Sequence, residues 1–395
     1  MLNGIQLNLM VWRCFVKYLI SFENSMFAGV SRLILGDHHS MILKQDGSVW
    51  STAINLRGLA DSSVRLGGKY FTQVIARDAL DAAAGSGFSL VVKQDGGVWV
   101  MGRNYKGQLG DGTRNRRDTF HLGQVIPDAK AVVAGAGHSI VLTKKGHIWT
   151  AGWNRYGQLA DGSTSDRDRF REVISSAAET VAAGDTHSII VLKQDGSVWV
   201  VGGNYHGQLG DGSKMNRDTF VQAMSSGAAD VAAGGSHSMV RKHDGSVWAT
   251  GWNEYGQLGT GSTTDQTEFV QVVSSGAKAV AAGSRHTMML KQDGSVWVTG
   301  YNEYGQLGTG STTNSYGFVQ VISNGAQAVA AGGFHSMVVA QDGGIWATGS
   351  NKDGQLGDGS TISRKIFVRL APFSNGPQHD HMYTHGSIFL ITQFI

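Results

Sequence analysis

Seven tryptophans recur along the chain at a nearly fixed interval: Trp50, Trp99, Trp149, Trp199, Trp248, Trp297 and Trp346. The gaps are 49, 50, 50, 49, 49 and 49 residues. A period of this size means one small supersecondary unit repeated, and such a unit buries its apolar face only by stacking on its neighbours. The 395 residues are therefore expected to form one large array over 31–372 rather than two or three ordinary domains. Residues 1–30 read as an N-terminal extension and 373–395 as a tail.

The stretch 279–321 shows what the unit is. It holds four apolar segments, at 279–282, 286–291, 295–299 and 318–321. Gln292-Asp293-Gly294 separates the second from the third. An Asp-Gly pair between apolar runs is a hairpin signal, because the turn needs a positive φ that Gly adopts without strain. The turn returns at Asp46-Gly47, Asp95-Gly96, Asp195-Gly196, Asp244-Gly245 and Asp342-Gly343, with Lys145-Gly146 in the third copy. With 56 Gly and 3 Pro, the chain builds its turns from glycine. The first segment is small (Ala, Val, Gly), which suits a crowded centre. The fourth opens on Phe71, Phe120, Phe170, Phe220, Phe269, Phe318 or Phe367, which suits a wide periphery. The expected fold class is thus all-β: a seven-bladed β-propeller with four antiparallel strands per blade. Each periodic Trp would bury ~150–250 Å² between blades, a few kcal/mol at most.

Further framework follows each Trp. Gly102, Gly152, Gly202, Gly251, Gly300 and Gly349 come three residues later, then Asn-x-x-Gly-Gln-Leu from Asn104, Asn154, Asn204, Asn253, Asn302 and Asn351. Six copies of one loop argue for scaffold rather than catalysis. The first copy departs, with Ala53 for the Gly and Asn55-Leu56-Arg57-Gly58-Leu59 for the motif. His39, His138, His187, His237, His286 and His335 would form a ring. Blades set around an axis hold such residues too far apart to share one ion, so these imidazoles are expected to be structural, bonded to adjacent backbone, with no metal and no cofactor. Phe88 takes the His position in the second copy.

Composition narrows the function classes. A net charge of +3 is small for a nucleic-acid binder, so nucleic acid is not an expected partner. Cys14 is the only cysteine, which excludes an intrachain disulfide and a cysteine-rich zinc site. Residues 5–20 are apolar but broken by Arg13 and Lys17, too short to span a bilayer and without a basic start. No membrane association is expected, and the cytoplasm is the expected location. No nucleotide loop or Ser-His-Asp trio stands apart from the repeats, so no catalytic residues are assigned.

In a repeat protein the copied positions hold the walls, and divergent positions are free for recognition. The loops after the first and third strands must open on one face. Before the repeated His they carry Asp37-His38, Asp185-Thr186, Ser284-Arg285 and Gly333-Phe334, among others. Beside the Asn they carry Arg103, Trp153, Trp252 and Tyr301 on one side and Arg155 on the other. Trp, Tyr and Arg are the residues of interaction hot spots. The candidate protein-binding residues are Trp153, Trp252, Tyr301, Arg285, Phe334, Arg103, Arg155 and Asp185. A second, weaker candidate is a phosphate-binding stripe of Arg114, Arg116, Arg117, Arg167, Arg169, Lys214 and Arg217, though interspersed aspartates largely cancel it.

Three motifs together resemble the regulator of chromosome condensation repeat family. They are Gly-x-x-His-Ser (36–40, 135–139, 184–188, 234–238, 332–336, Thr-ended at 283–287), the Asp-Gly-x-Val-Trp turn, and Gly-x-Asn-x-x-Gly-Gln-Leu-Gly. The resemblance implies a seven-bladed propeller. Its members serve nucleotide exchange on the small GTPase Ran, chromatin binding, plant light sensing and β-lactamase inhibition, or act as interaction modules beside kinase or ubiquitin-ligase domains. A spacing never above 50 leaves no room for the exchange factor's β-wedge. Gly283-Ser284-Arg285-His286-Thr287 lacks the photoreceptor's tryptophan, and the 23 residues after Pro372 are too few for a kinase. The expectation is a noncatalytic protein-interaction scaffold; the alternative is a guanine-nucleotide exchange factor for a Ran-like small GTPase. At the ends, Phe22, Trp12, His385 and 388–391 echo repeat positions, so a partial eighth blade is the alternative to simple closure.

Overall fold

A computed structural model describes residues 29–52, 68–175, 177–192 and 195–371. Residues 1–28 of the N-terminal extension, the C-terminal tail, the irregular first-copy loop and the proposed eighth-blade positions lie outside the described residues. Within them the chain folds as seven four-stranded antiparallel sheets, each a contiguous stretch in the order of the sequence. Sheets one to seven span 30–75, 79–125, 129–174, 178–224, 228–273, 277–322 and 326–369. The first begins at Val30, inside the stretch assigned to the extension.

The sheets are arranged as a propeller. The last residues of the seven first strands (Leu35, Ala84, Ala134, Ala183, Ala233, Ala282 and Ala331) line one axial cavity of about 70 Å³. Small side chains are what such convergence requires. Seven separate apolar cores fill the seams between consecutive sheets; the one between sheets seven and one joins Met337, Val339 and Ile345 to Leu33, Ile42 and Phe71. Closure within the described residues therefore uses packing of contiguous sheets rather than exchange of a terminal strand.

Sheet six shows how sequence and structure differ. Its strands are Ala277–Ala282, His286–Lys291, Val296–Gly300 and Ser315–Ile322. The fourth starts three residues before Phe318, so Phe does not open it. Its side chain instead packs beneath the preceding sheet: a Cβ on Gly259 would meet the Phe318 ring. The first strand starts earlier because a bulge shifts the register between Ala277 and Ala279. The Asp-Gly turns behave as their chemistry demands. Gly294 has φ 79°, and the Asp293 carboxylate accepts the Ser295 N–H at 2.8 Å.

The periodic tryptophans are half-buried at the seams. Trp297 packs against the core shared by sheets five and six. Its Nε1 donates to Ser295 Oγ at 3.0 Å, and Lys291 lies over the ring at 4.2 Å. Burial is thus partial, with one ring face covered by the lysine ammonium.

Candidate functional site

The Gly-x-x-His-Ser loop is a joint between sheets. His187 Nε2 lies 3.0 Å from Ser238 Oγ on the next sheet, and Ser238 donates its only hydroxyl proton to the Gln208 carbonyl at 2.6 Å. The hydroxyl must therefore accept, which assigns the imidazole proton to Nε2. The same joint links His237 to Thr287, His286 to Ser336, and His335 across the closing seam to Ser40. The sequence reading has the imidazoles bonding adjacent backbone; for His39, His187, His237, His286 and His335 the partners are instead hydroxyls one sheet on, because the ring spans the seam. The Gly is required by the same ring: a Cβ on Gly36 would lie 2.8 Å from the Gly85 carbonyl oxygen and 3.0 Å from His39 Cε1. Burial lowers His39, His138 and His286 to about 4, and His187, His237 and His335 to about 3. All six are neutral spacers.

The Asn loop is equally committed. Asn154 Oδ1 accepts the Leu159 N–H at 2.9 Å, and its Nδ2 donates to Asp161 and to the Ser163 carbonyl. Asp161 in turn holds Arg167 at 2.7 Å. The pair repeats as Asp111–Arg117, Asp211–Arg217 and Asp358–Arg364. Where sheets five and six put Thr260 and Thr309 for the Asp, they put Gln266 and Ser315 for the Arg. The two positions change together because a buried carboxylate without its guanidinium is costly. Burial pulls Asp111 up, but the Thr113 hydroxyl and Arg117 outweigh it and hold the carboxyl at about 2. Of the seven residues of the weaker phosphate-stripe candidate, Arg117, Arg167 and Arg217 are tied to aspartates within their own loops, and Arg116 pairs with Asp118 at 2.7 Å, as the interspersed aspartates led one to expect.

On this framework the variable residues meet. The loops after strands one and three are joined by backbone bonds, Trp252 N to Ser236 O at 2.8 Å and Tyr301 N to Arg285 O at 2.9 Å, so they open on one face. The aromatic rings run from sheet to sheet around it. Trp153 meets Tyr156 at 5.2 Å and Tyr156 meets Tyr205 at 5.6 Å. His206 meets Trp252 at 5.4 Å, Trp252 meets Tyr255 at 5.2 Å, and Tyr255 meets Tyr301 at 4.8 Å. Tyr301 and Tyr304 both contact Phe334, at 6.0 and 5.5 Å. The Arg285 guanidinium sits 5.3 to 5.9 Å from the centres of Trp252, Tyr255, Tyr301 and Phe334.

Of the sequence candidates, Trp252, Tyr301, Arg285 and Phe334 form one cluster. Trp153 begins the same arc two sheets earlier, with Arg155 exposed beside Tyr156. Asp185 is half-buried at the axial mouth with Asp37. Burial and the Asp37 charge raise its carboxyl to about 7, against the pull of Arg285. Arg103 stands apart, exposed at the second sheet over Gly87. Trp153 and Trp252 do contact neighbouring loops, yet each stays half-exposed.

The pattern of the Regulator of chromosome condensation (RCC1) repeat matches residues 95–142, 145–191, 195–241, 244–290 and 293–339. A second RCC1 pattern, offset to begin in the first strand, matches six segments from 81–108 to 326–355. The chain belongs to the RCC1 repeat family.

No curated protein matches the sequence. Among solved structures the RCC1 chain is similar to human WBSCR16, with 23% identity and a TM-score of 0.68 over 77% of this chain and 85% of that one. It is similar to yeast RCC1 (Prp20) in its complex with Kap60, with 18% identity and a TM-score of 0.70 over 88% and 85%. The Prp20p structure from Saccharomyces cerevisiae gives the same identity and TM-score over 88% and 89%. At such identities the likeness shows the fold.

The RCC1 repeat also explains what the sequence reading missed. Tyr156, Tyr255 and Tyr304 occupy the second variable place of Asn-x-x-Gly and read as framework because they recur. The signal lay in Lys106, His206 and Asp353 at the same place. Each of these reaches beyond its own loop: Lys106 to Asp166, His206 to Asp265, and Asp353 to His38.

Proposed function

We propose that this RCC1-repeat chain is a noncatalytic scaffold that holds a protein partner on the aromatic face of a closed, seven-bladed wheel. The observation that carries the reading is the arc from Trp153 to Phe334, with Arg285 stacked among four rings. Rings at 4.8 to 6.3 Å with a guanidinium between them offer large rigid contact area at low entropic cost, as interface anchors do. The repeated His, Ser and Asn groups, with Asp111, Asp161, Asp211 and Asp358, are engaged by the framework, which leaves the variable residues as the recognising elements.

The test is capture of partners from a cell extract by immobilised protein, wild type against Trp252→Ala with Tyr301→Ala. Loss of specifically captured proteins at an unchanged melting temperature supports the reading; an unchanged set refutes it. A second reading, nucleotide exchange on a Ran-like GTPase, is favoured by the likeness to Prp20p, a protein studied for its binding to Gsp1p and histones. Its test is acceleration of nucleotide release from such a GTPase, and no acceleration removes it.

A further inference from the structure

The partner's chemistry can be read from the charges that surround the arc. Arg285 is the only cation within the ring cluster. Around it stand Asp37 and Asp185 at the axial mouth, and Glu254 and Glu303, both exposed on the Asn loops of sheets five and six. Glu303 accepts a hydrogen bond from the Tyr301 hydroxyl. Among the described residues, no salt bridge satisfies any of these four carboxylates, and the further cations of the face, Arg103, Arg155 and Lys352, stand on the Asn loops of other sheets. Acid thus exceeds base where the rings are densest.

The cluster also shows what its rings accept. Four aromatic centres within 6 Å of one guanidinium form a cation-stacking site, filled here by the chain's own Arg285. Trp153, Tyr205 and Tyr304 continue the arc with no cation over them among the described residues, and Tyr205 and Tyr304 are 60% and 37% exposed. Rings able to stack a guanidinium, edged by carboxylates that hold no salt bridge among the described residues, complement a positively charged extended chain.

We infer that this face takes an arginine-bearing extended segment of the partner protein, its guanidinium groups stacking on the open rings and pairing with Asp37, Asp185, Glu254 and Glu303. The inference rests on the aromatic face being the docking surface and adds what docks there. Arginine is favoured over lysine because a planar guanidinium stacks and binds a carboxylate in the same pose. Around the four-ring cluster an acidic segment would meet Asp37, Glu254 and Glu303 against Arg285 alone, and is disfavoured.

The test uses the full chain and two labelled peptides, one alternating Arg with Gly and one alternating Glu with Gly, followed by fluorescence anisotropy at physiological salt. Three variants are compared: Asp37→Asn with Glu254→Gln, Trp252→Ala with Tyr301→Ala, and Tyr205→Ala with Tyr304→Ala. The last alters only exposed rings and serves if the second variant melts early. The expected result is saturable binding of the arginine peptide only, weakened at least about tenfold by the charge variant and by a folded ring variant. No binding of the arginine peptide, equal binding of the glutamate peptide, or indifference to the charge variant overturns the inference. Capture from extract separates the two failures. If the ring variant loses its partners while the arginine peptide never binds, the docking face stands and its basic ligand falls. If capture ignores the ring variant, the face itself falls.

Discussion

Acidification from pH 7 to pH 5 should cost this protein most of its stability, and the histidine joints set the size of the loss. Six buried imidazoles titrate near 3 to 4 in the folded chain against an ordinary value of 6.5. Well above pH 6.5 both folded and unfolded forms are neutral and the joints contribute in full. As pH falls below 6.5 the unfolded chain takes up protons that the folded chain refuses, so stability declines until the folded values are reached. At pH 5 each imidazole then costs about 2 kcal/mol, and six acting independently cost about 11 kcal/mol. A domain commonly holds ~5–15 kcal/mol in total. Asp185 works in the opposite sense, since its raised carboxyl favours the folded form as pH falls from 7, but it is one group against six. Urea titrations followed by tryptophan fluorescence at pH 7.5, 6.5, 5.5 and 5.0 measure the slope. Uptake of several protons on unfolding near pH 5 is expected. A loss under about 2 kcal/mol between pH 7 and pH 5, the share of one imidazole, would refute the claim that the ring is buried and neutral.

Two further outcomes follow from comparing copies within the chain. Asp211→Thr alone strands Arg217 and should destabilise by about 1–3 kcal/mol, whereas adding Arg217→Gln reproduces the pair of sheet five and should recover much of it; chemical denaturation of the single and double variants checks this. Ala160 holds φ 60° at a place where the other copies carry Gly110, Gly210, Gly259, Gly308 and Gly357. Ala160→Gly should therefore raise stability by about 1 kcal/mol, read as a higher urea midpoint with unchanged slope.

The wheel was legible because its period is written in tryptophan and glycine, residues with strict steric jobs. The fourth strands were read short. At the outer edge Ser315–Ile322 lets polar residues face solvent on both sides, so no alternation marks its start. The reading of the His loop failed on its partner for a different reason. Ser238 is adjacent to His237 in sequence but serves His187, some fifty residues back, and only closing the sheets into a wheel brings them together. The site shows the same offset. Tyr255 touches Tyr301 of the next sheet, and a residue repeated three times in one motif looked like a wall until its neighbours were known. Arg285 and Phe334 were recognisable because they interrupt a small-residue loop. That their side chains converge on Trp252 and Tyr301 depends on the angle between sheets, which no single repeat encodes.

The proposed docking face can be tested directly with a photo-reactive phenylalanine placed at Tyr304, on the aromatic arc, or at Gln292, exposed on the turn side of the same sheet. After irradiation in cell extract, the arc position should yield a discrete crosslinked partner and the turn position none. Crosslinking from Gln292 with silence at Tyr304 would contradict the account.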